Sequence, residues 1–266
     1  MRLTPDDAVA IRALAFWGGF LFFLLLEYFA SYRADTVPKK KRLATNLTLA
    51  VLNGIVLNLL FRSVAVNTLL SVYERHAGLL NKATIPYWAA LLITVVFMDL
   101  VMYVWHLLNH EVPLLWRFHR VHHSDINMDV STASRFHIGE LAISNVIKVA
   151  AAYFIGADIG GFVLFECILV FAAQFQHSSV KVPGWFERVH WLFFVPPSMH
   201  RIHHSVVIRE RNTNYGTIFS VWDRILGTLL RDVEQERIVI GLGPYRAPGK
   251  LTIGNLFAMP FTRLVR

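Results

Sequence analysis

Long apolar blocks, rather than short alternating patterns, dominate this chain. Three of them, 10–31, 45–71 and 86–105, are each long enough to cross a hydrocarbon core of about 30 Å as a helix, which takes about 20 residues. A fourth block, 141–176, is interrupted by the sequence GADIGG at 156–161 and so has two arms of about 15 residues. The pattern predicts three membrane-spanning helices followed by a helical hairpin that enters the membrane and returns.

The composition agrees with a membrane protein. Of the 266 residues, 55% are hydrophobic and 17% are charged, which is more apolar than an ordinary soluble domain. The first block is expected to be a retained anchor rather than a cleaved signal peptide, because it is long, contains Glu27 and lacks a basic N-terminal region. We therefore expect an all-α integral membrane protein, with about four transmembrane helices or hairpin arms in a single membrane domain.

The positive charge follows the membrane segments. The net charge is +8, but the basic residues cluster beside the apolar blocks, which favours the positive-inside rule over nucleic-acid binding as their explanation. The sequence YRADTVPKKKR after the first block carries five Lys and Arg, whereas the segment after the second block carries only Arg75 and Lys82. The former segment should therefore be cytoplasmic, which places everything after residue 105 on the cytoplasmic side except the hairpin.

This orientation gathers the remaining segments into a cytosolic helical cap. Residues 106–140 and 177–230 form the cap, and 231–266 is expected to wrap over it as an irregular tail, because its first half is rich in Gly and Pro. The single cysteine, Cys167, permits no intrachain disulfide and agrees with a reducing compartment. The membrane is expected to be a bacterial cytoplasmic membrane or the endoplasmic reticulum.

Histidines concentrate in three short motifs within this cap. The sequence HLLNH begins at His106, HRVHH begins at His119 and HRIHH begins at His200. On a helix, positions i, i+3 and i+4 project from one face, so each HxxHH presents three imidazoles together, and neutral imidazole is the commonest metal ligand in proteins. Eight histidines exceed the needs of one metal ion, which predicts a site for two. They are His106, His110, His119, His122, His123, His200, His203 and His204.

The other histidines are less regularly placed. His177 lies where the hairpin returns to the cytoplasmic surface and is expected to be a ligand, whereas His137 is equally consistent with a ligand and with a partner that orients one. His76 and His190 are not expected to bind metal. Other histidine-based sites fit less well, since bis-histidine haem uses single histidines on facing helices, a zinc peptidase needs HExxH, and a storage tract is unpatterned.

Together with STASRFHIGE, FQHSSVKVPGW and NTNYGTIFSVWDRILGT, the three histidine motifs resemble the fatty acid hydroxylase and sterol desaturase superfamily over about residues 90–230. Its members are integral membrane di-iron oxygenases with histidine ligands. The resemblance implies that the eight motif histidines and His177 bind two Fe ions. Ser179 stands where the family commonly has Asn, and His137 with Glu140 resembles the family's HPxE element with Ile in place of Pro.

Carboxylates near the motifs are candidates to orient the imidazoles, because a ligating imidazole usually donates its other N–H to a carboxylate or a carbonyl. Two of these carboxylates lie within apolar blocks, where an ionisable group is costly. They either belong to the site or pair with polar groups between helices. The candidates are Asp99, Asp125, Glu140, Glu166 and Asp223.

The resemblance implies a membrane-bound oxygenase that uses O2 and external electrons to hydroxylate or desaturate a C–H bond of a lipid, such as a sterol, a fatty acyl chain or an ether lipid. The segment GLGPYRAPG at 241–249 lacks the GxGxxG spacing of a nucleotide site, so we expect a separate electron donor such as a cytochrome b5, a ferredoxin or a reductase. Basic residues beside the motifs are candidates for docking an acidic donor or for binding lipid phosphate. They are Arg117, Arg120, Arg201, Arg209 and Arg211.

Two other functions are compatible with the sequence. A metal-binding scaffold or partner subunit would keep the histidine core without oxygenase activity. A metal transporter is less compatible, because it needs ligands along a path through the bilayer, whereas these histidines lie at one side of it.

Overall fold

Helices account for nearly all of the regular structure. The computed structural model describes residues 3–264, and within that range it contains eleven α-helices, short 3-10 turns and three isolated β-bridges, with no longer strand. The predicted all-α fold is therefore confirmed for the described residues.

Five of the helices are long and apolar enough to cross a membrane, which makes this a multi-pass membrane protein. They are α1 (Pro5–Phe29), α2 (Lys39–Glu74), α3 (Tyr87–Glu111), α5 (Ile138–Ile155) and α6 (Ile159–His177). The six short helices are α4 (Pro113–His123), α7 (Gly184–Phe193), α8 (Pro197–His203), α9 (Ile208–Arg211), α10 (Val221–Ile225) and α11 (Ile253–Ala258). The three predicted spans correspond to α1, α2 and α3, and the predicted hairpin corresponds to α5 and α6.

The hairpin arms are longer than the sequence pattern predicted. α5 begins at Ile138 because the His137 side chain caps it, its Nδ1 accepting a hydrogen bond from the backbone N–H of Gly139 at 3.0 Å. α6 is capped by Asp158, which accepts from a backbone N–H of the first turn, and it continues to His177. The arms have 18 and 19 residues, so each is about 27 to 28 Å long and approaches the full thickness of a hydrocarbon core.

α3 lies at the centre of the bundle. It packs against both α5 and α6, while α1 packs against α6 and α2 packs against α5. Met98, Met102, Trp105 and Phe165 form the middle of the main apolar cluster between these helices. α3 also continues beyond its predicted span to Glu111, so the first two motif histidines lie on the last turns of a membrane helix.

The outward faces of the long helices are apolar. Leu14 and Leu21 on α1, Leu59 on α2, Trp88 on α3 and Phe154 on α5 are all exposed. A belt of exposed apolar side chains of this extent would be unfavourable in water, and it is the surface that a bilayer covers.

One end of the bundle carries both the histidine motifs and the basic loop between α1 and α2. Thr36 in that loop donates a hydrogen bond to the side chain of Asn127 at 2.6 Å. Arg42, at the start of α2, forms a buried ion pair with Asp129. The basic loop therefore lies at the same face as the segment that follows the first HxxHH motif.

The C-terminal residues cover this end of the bundle. Ile238 packs with Met199 of α8 in a second apolar cluster. The fully buried Arg120 of α4 donates hydrogen bonds to the backbone carbonyls of Thr262 and Arg263 at 3.2 and 2.8 Å. The tail is irregular apart from α11 and short 3-10 turns, and it holds the two helices that carry the HxxHH motifs.

Candidate metal centre

Three helix ends bring the histidine motifs together. His106 and His110 lie about one turn apart near the end of α3, the first HxxHH motif occupies the last turns of α4, and the second begins within α8. α4 follows α3 after a single residue, and Pro113 at its start turns the chain because proline cannot continue the preceding helix. α6 delivers His177 as its final residue.

The nine predicted ligands form two buried groups, and within each group the ring nitrogens lie within 4.8 Å of one another. The structure therefore brings all nine together, in an arrangement that suits two neighbouring metal ions. The first group contains His106, His110, His119, His123 and His203, and the second contains His122, His177, His200 and His204. The two histidines not expected to bind metal, His76 and His190, belong to neither group.

Each HxxHH motif contributes to both groups. In the first motif the i and i+4 histidines join the first group, while the i+3 histidine, His122, joins the second. In the second motif the i and i+4 histidines join the second group, while the i+3 histidine, His203, joins the first. Because i and i+4 are about 40° apart around a helix and i+3 lies about 60° to the other side of i, one motif can reach two metal ions. Each of the two motifs therefore contributes two imidazoles to one group and one imidazole to the other.

Five of the nine imidazoles are held from outside the groups through Nδ1. An Nδ1–H donated outward leaves the lone pair of Nε2 facing the group, which is the tautomer that a metal needs. Three of the five contact backbone carbonyl oxygens at 2.6 to 2.8 Å: His106 contacts Tyr215, His177 contacts Ala173 and His203 contacts Thr213. The fourth, His119, lies 2.8 Å from the Glu140 carboxylate. The fifth, His110, lies 3.4 Å from the amide oxygen of Asn212.

The inward-facing nitrogens have too few protein partners of their own. The Nε2 atoms of His110 and His203 are buried and have no hydrogen-bond partner among residues 3–264. Elsewhere Nε2 atoms face each other, with His177 at 3.0 Å from His122 and 2.9 Å from His200. Buried ring nitrogens that converge in this way are unfavourable unless a proton or a metal ion lies between them. The donor set therefore fits two metal ions, each held by imidazole.

Burial keeps five imidazoles of the HxxHH motifs neutral. Removal from water, followed by the proximity of other histidines, lowers the pKa of these rings well below the usual value of about 6.5. At neutral pH their lone pairs are therefore available to a metal ion. The affected residues are His122, His123, His200, His203 and His204.

Two of the predicted orienting carboxylates act on the centre. Glu140 contacts His119 directly, as an ion pair if the imidazole is charged and as a hydrogen-bond acceptor if it is neutral. Asp223 acts one step further out, because it accepts hydrogen bonds from the backbone N–H groups of Tyr215 and Gly216 at 2.7 and 2.8 Å. It thereby fixes the segment whose carbonyl holds the first histidine of the HLLNH motif.

Two others support neighbouring loops instead. Asp99 accepts hydrogen bonds from the backbone N–H of Ile218 at 2.9 Å and from the indole of Trp222 at 2.8 Å, which fixes the loop before α10. Asp125 accepts from the side chain of Asn46 at 3.0 Å. Neither makes a hydrogen bond to a histidine within the described residues, so their burial reflects pairing with polar groups on other segments.

Glu166 and His137 also lie outside the two groups. Glu166 forms ion pairs with Arg12 and Lys148 in the wall of a cavity. His137 caps α5, and its Nε2 lies 3.3 Å from the carbonyl oxygen of Phe257 in the tail. His137 is thus used in helix capping and in contact with the tail.

The arginines predicted to dock an electron donor are mostly engaged within the fold. Arg117 and Arg120 donate hydrogen bonds to carbonyls of the C-terminal tail. Arg201 and Arg211 lie over aromatic rings at 4.1 and 4.8 Å from the ring centres. Of these five residues, only Arg209 is exposed.

The segment NTNYG at 212–216 lies in a stretch that resembles the family, and it supplies contacts to the histidines that were not predicted from the sequence. The carbonyl oxygens of Thr213 and Tyr215 hold two imidazoles, and Asn214 between them has a left-handed backbone with φ of 58°. The Asn214 side chain donates a hydrogen bond to the carbonyl of Met199 in α8, which ties this segment to the second HxxHH motif. Asn adopts positive φ more readily than most residues, and this was the one signal available in the sequence.

A cavity of about 540 Å³ connects the centre with the interior of the helix bundle. Side chains of α1, α2, α3, α5 and α6 form its walls, and many of them are apolar, such as Phe16, Leu57, Met102 and Val170. Its volume and lining suit an apolar ligand such as a lipid chain. At one end it is lined by His106, His119, His122, His177 and His200.

The sequence matches a known family over the region that carries the centre. The family model described as fatty acid hydroxylase matches residues 91–228, which is just over half of the chain. The chain belongs to the fatty acid hydroxylase family. All nine grouped histidines lie within the matched residues.

Several curated proteins are similar to this member of the family. An ornithine lipid hydroxylase from Rhizobium tropici is 33% identical over 165 residues, which are 61% of this chain and 47% of the relative. An alkylglycerol monooxygenase from Homo sapiens is 27% identical over 229 residues, 84% of this chain and 48% of the relative. A cholesterol 25-hydroxylase from Rattus norvegicus is 27% identical over 160 residues, 56% of this chain and 50% of the relative. The chain thus spans about half the length of these relatives, and no solved structure matches it.

Proposed function

We propose that this protein is a membrane-bound, non-haem di-iron oxygenase that hydroxylates a C–H bond of a lipid, with O2 as co-substrate. The observation that carries the proposal is the pair of histidine groups at one end of a largely apolar cavity. Membership of the fatty acid hydroxylase family and relatives named as hydroxylases and a monooxygenase support the same activity. Because two of these relatives are named hydroxylases and none is named a desaturase, we propose hydroxylation rather than desaturation.

The choice of iron rests on the resemblance to the fatty acid hydroxylase and sterol desaturase superfamily, which implies two Fe ions. Imidazole sites also accept Zn, Cu and Ni, of which Zn²⁺ has no redox chemistry and therefore cannot serve in an oxygenase. The two histidine groups would each hold one iron ion. When bound, the two irons would supply the activation of O2 that attack on an unreactive C–H bond requires.

The protein's own groups would keep the imidazoles in the required orientation. Glu140 would accept a hydrogen bond from the Nδ1–H of His119, which raises the basicity of the nitrogen that faces the first group. His122 has no hydrogen-bond partner for Nδ1 among the described residues, but its ring stacks on Phe136 with centres 4.3 Å apart and planes within 7°. Stacking thus restricts this ring where hydrogen bonding does not.

The cavity would hold the lipid and exclude water from the centre. A lipid chain that enters from the bilayer leaves one apolar environment for another, so an apolar wall admits it at little cost in free energy. The cavity is lined by residues of both α1 and α2, namely Phe16, Trp17, Val51 and Leu57. These two helices pack mainly against other partners, α1 against α6 and α2 against α5. We therefore propose that lipid reaches the centre from the bilayer between α1 and α2.

The reaction needs electrons from outside the chain. Insertion of one oxygen atom into a C–H bond leaves the second atom to be released as water, and this consumes two electrons and two protons from elsewhere. We propose that a separate electron carrier, such as a cytochrome b5, a ferredoxin or a reductase, supplies the electrons. The exposed Arg209 is the one residue of the predicted arginine set that is available to it.

We propose that the centre faces the cytoplasm. The basic loop between α1 and α2 lies at the same end of the bundle as the histidine motifs, with Thr36 bonded to Asn127. Cytoplasmic loops carry an excess of Lys and Arg, so this end is the cytoplasmic one.

Lipid analysis with isotopically labelled dioxygen tests the proposed activity. A host expressing the chain under labelled O2 should accumulate a lipid that carries one labelled oxygen atom in a new hydroxyl group. The double variant His203→Ala with His204→Ala should not make this lipid, whereas the matched control His190→Ala, outside both groups, should. Unchanged lipids together with tightly bound zinc would favour a metal-binding scaffold instead.

A further inference from the structure

Three ionisable side chains line the wall of the cavity at membrane depth. Glu166 of α6 is buried, with 8% of its surface exposed. One of its oxygens lies 2.7 Å from Nε of Arg12 in α1, and the other lies 2.7 Å from Nζ of Lys148 in α5. An ionisable group within a membrane-spanning helix is costly, so a set of three that faces a cavity points to a function.

This trio is continuous with the metal centre along two helix faces. On α5 the cavity is lined at intervals of four residues by Glu140, Ser144 and Lys148, which lie on one side of the helix. Glu140 marks the end of this face at the centre, because it contacts a histidine. At about 1.5 Å per residue, Lys148 lies about 12 Å further along the helix.

On α6 the cavity is lined by Glu166, Val170, Ala173 and His177, again at helical spacing. His177 belongs to the second histidine group, so the same rise places Glu166 about 16 Å from the centre. The wall between the two polar ends is mainly apolar. The cavity therefore has a predicted reaction end, an apolar middle and an ionic end.

The ionic end has an excess of hydrogen-bond donors. Two cations face one carboxylate. Lys148 donates a hydrogen bond to one oxygen of Glu166, and Arg12 forms an ion pair with the other, which has no hydrogen-bond partner among the described residues. Within the described residues, Arg12 and Lys148 have no acceptor other than Glu166. The two terminal nitrogens of the Arg12 guanidinium and the remaining N–H groups of Lys148 are thus available to a ligand that carries acceptors.

We propose that Arg12 and Lys148 form a subsite for the anionic head group of an amphiphile, a carboxylate or a phosphate, whose chain extends through the apolar middle to the histidines. The proposal rests on the proposed function, since that function makes the far end of the chain the site of oxidation. Charge-assisted bonds from a guanidinium and an ammonium are the strongest that a protein offers to such a group. The separation of the two ends would then select which carbon is presented to the centre.

The competing explanation is that the trio only ties α1 to α5 and α6. The two explanations predict opposite effects for one substitution. If the trio is a tie, Glu166→Gln and Lys148→Met both loosen the cavity and weaken binding. If it is an anion subsite, Lys148→Met removes a donor and weakens binding, whereas Glu166→Gln removes the competing anion and strengthens it.

Binding can be measured with palmitate and hexadecyl phosphate as anionic probes and methyl palmitate as the neutral control. Trp17 on α1 and Trp105 on α3 both line the cavity, and Trp105 precedes the first motif histidine. Probes brominated near the head group should quench Trp17, and probes brominated near the methyl end should quench Trp105. The variants Trp17→Phe and Trp105→Phe identify each signal.

Palmitate affinity should fall about tenfold or more in Lys148→Met and in Arg12→Met, which is the loss expected for one charge-assisted hydrogen bond. Lys148→Arg should retain it, Glu166→Gln should raise it, and none of these variants should change methyl palmitate binding by more than about twofold. Preference for palmitate over hexadecyl phosphate, or the reverse, identifies the head group. Equal binding of acid and ester, weakening by Glu166→Gln, or the reversed quenching pattern would each overturn the proposal.

Failure of this subsite is distinguishable from failure of the proposed function. The binding assay needs neither turnover nor electrons. Iron content measured on the same samples reports on the centre separately, and it should be equal in the wild type, Lys148→Met and Glu166→Gln. A centre that holds iron without discriminating acid from ester would leave the oxygenase proposal intact and remove the subsite.

Discussion

Among residues 3–264, Glu140 provides the one carboxylate in contact with a predicted metal ligand, at 2.8 Å from Nδ1 of His119. The other outward contacts of the centre use neutral oxygens, such as the carbonyls of Tyr215 and Thr213. A carboxylate forms a stronger hydrogen bond to an imidazole that becomes more positive on binding a cation. His119 should therefore depend on its outer partner more than the other ligands do.

Replacement of Glu140 by Gln should weaken metal binding to the first group. The expected loss in affinity is roughly 10- to 100-fold, because the amide carries no charge to support the bound cation. Competition with a chelator measures this affinity on purified protein. The control Glu234→Gln, at an exposed position, should leave it unchanged, and equal affinities for Glu140→Gln and the wild type would contradict the role assigned to Glu140.

Asp223 allows a prediction on pH and stability. Burial raises its pKa to about 6, above the value of about 3.9 for an unfolded Asp. The folded chain therefore binds more protons than the unfolded chain between about pH 4 and 6, so the free energy of unfolding falls as the pH rises through that window. The difference in Tm between the wild type and Asp223→Asn should decrease from pH 4 to 6. A difference that does not change with pH would contradict this assignment, and the exposed Asp232→Asn serves as the control.

At this scale the sequence was sufficient to select eight of the nine grouped histidines, because imidazole chemistry and helical spacing are local properties. His177 was expected from its position where the hairpin returns and from the family resemblance. It did not predict that His122 would lie with the second group and His203 with the first, since that depends on how α4 and α8 face each other. Nor could it indicate the carbonyls that hold the rings, because every residue has a carbonyl. The position of Asp99 and Glu166 within apolar blocks indicated that they either belong to the site or pair with polar groups between helices, and it did not indicate their partners.

At the scale of elements, the hairpin of α5 and α6 sets where the second histidine group lies. The break predicted at GADIGG is real, but the sequence pattern made both arms too short because polar residues at their ends, among them Glu140 and His177, are helical. Gly156 ends α5 in the left-handed conformation, with φ of 85°, and packs against Gly78, whose φ is 90°. The turn thus depends on two glycines from different segments.

Substitution of Gly156 by Ala should destabilise the hairpin. An added Cβ would lie 2.8 Å from the carbonyl oxygen of Ala77, in a backbone conformation that side chains disfavour. We expect a loss of roughly 1–3 kcal/mol, seen as a lower Tm in detergent. Gly18→Ala on α1 is the matched control, because nothing lies within 4 Å of its Cβ position and Ala favours helix. Equal Tm values for the two variants would contradict this account of the turn.

At the scale of the whole molecule, the charge distribution and the fold agree on one orientation. Thr36 of the basic loop donates a hydrogen bond to Asn127, which follows the first HxxHH motif. The face that the positive-inside rule would make cytoplasmic is therefore the face that carries the centre. Residues between α2 and α3 lie at the opposite end. Hydropathy predicted the spans and the hairpin, and composition predicted an irregular tail over the cap. The residues through which the tail contacts α4 and α8 were not predicted, since those contacts are long-range.

Cysteine labelling tests this orientation. In a Cys167→Ala background, which has no other cysteine, Lys82→Cys should react with a membrane-impermeant maleimide in intact cells. Lys40→Cys should react only after the membrane is permeabilised. Both positions are exposed, so access is limited by the membrane and not by the fold. The opposite labelling pattern would place the centre on the outer face.

The iron content of the purified protein tests the central claim most directly. Two histidine groups predict two irons per chain after expression with iron in excess. Because His203 and His204 belong to different groups, the double variant His203→Ala with His204→Ala should weaken both sites and lose more than half of the iron. Wild-type protein that holds no iron, or a double variant that keeps most of it, would contradict a di-iron centre built from these nine histidines.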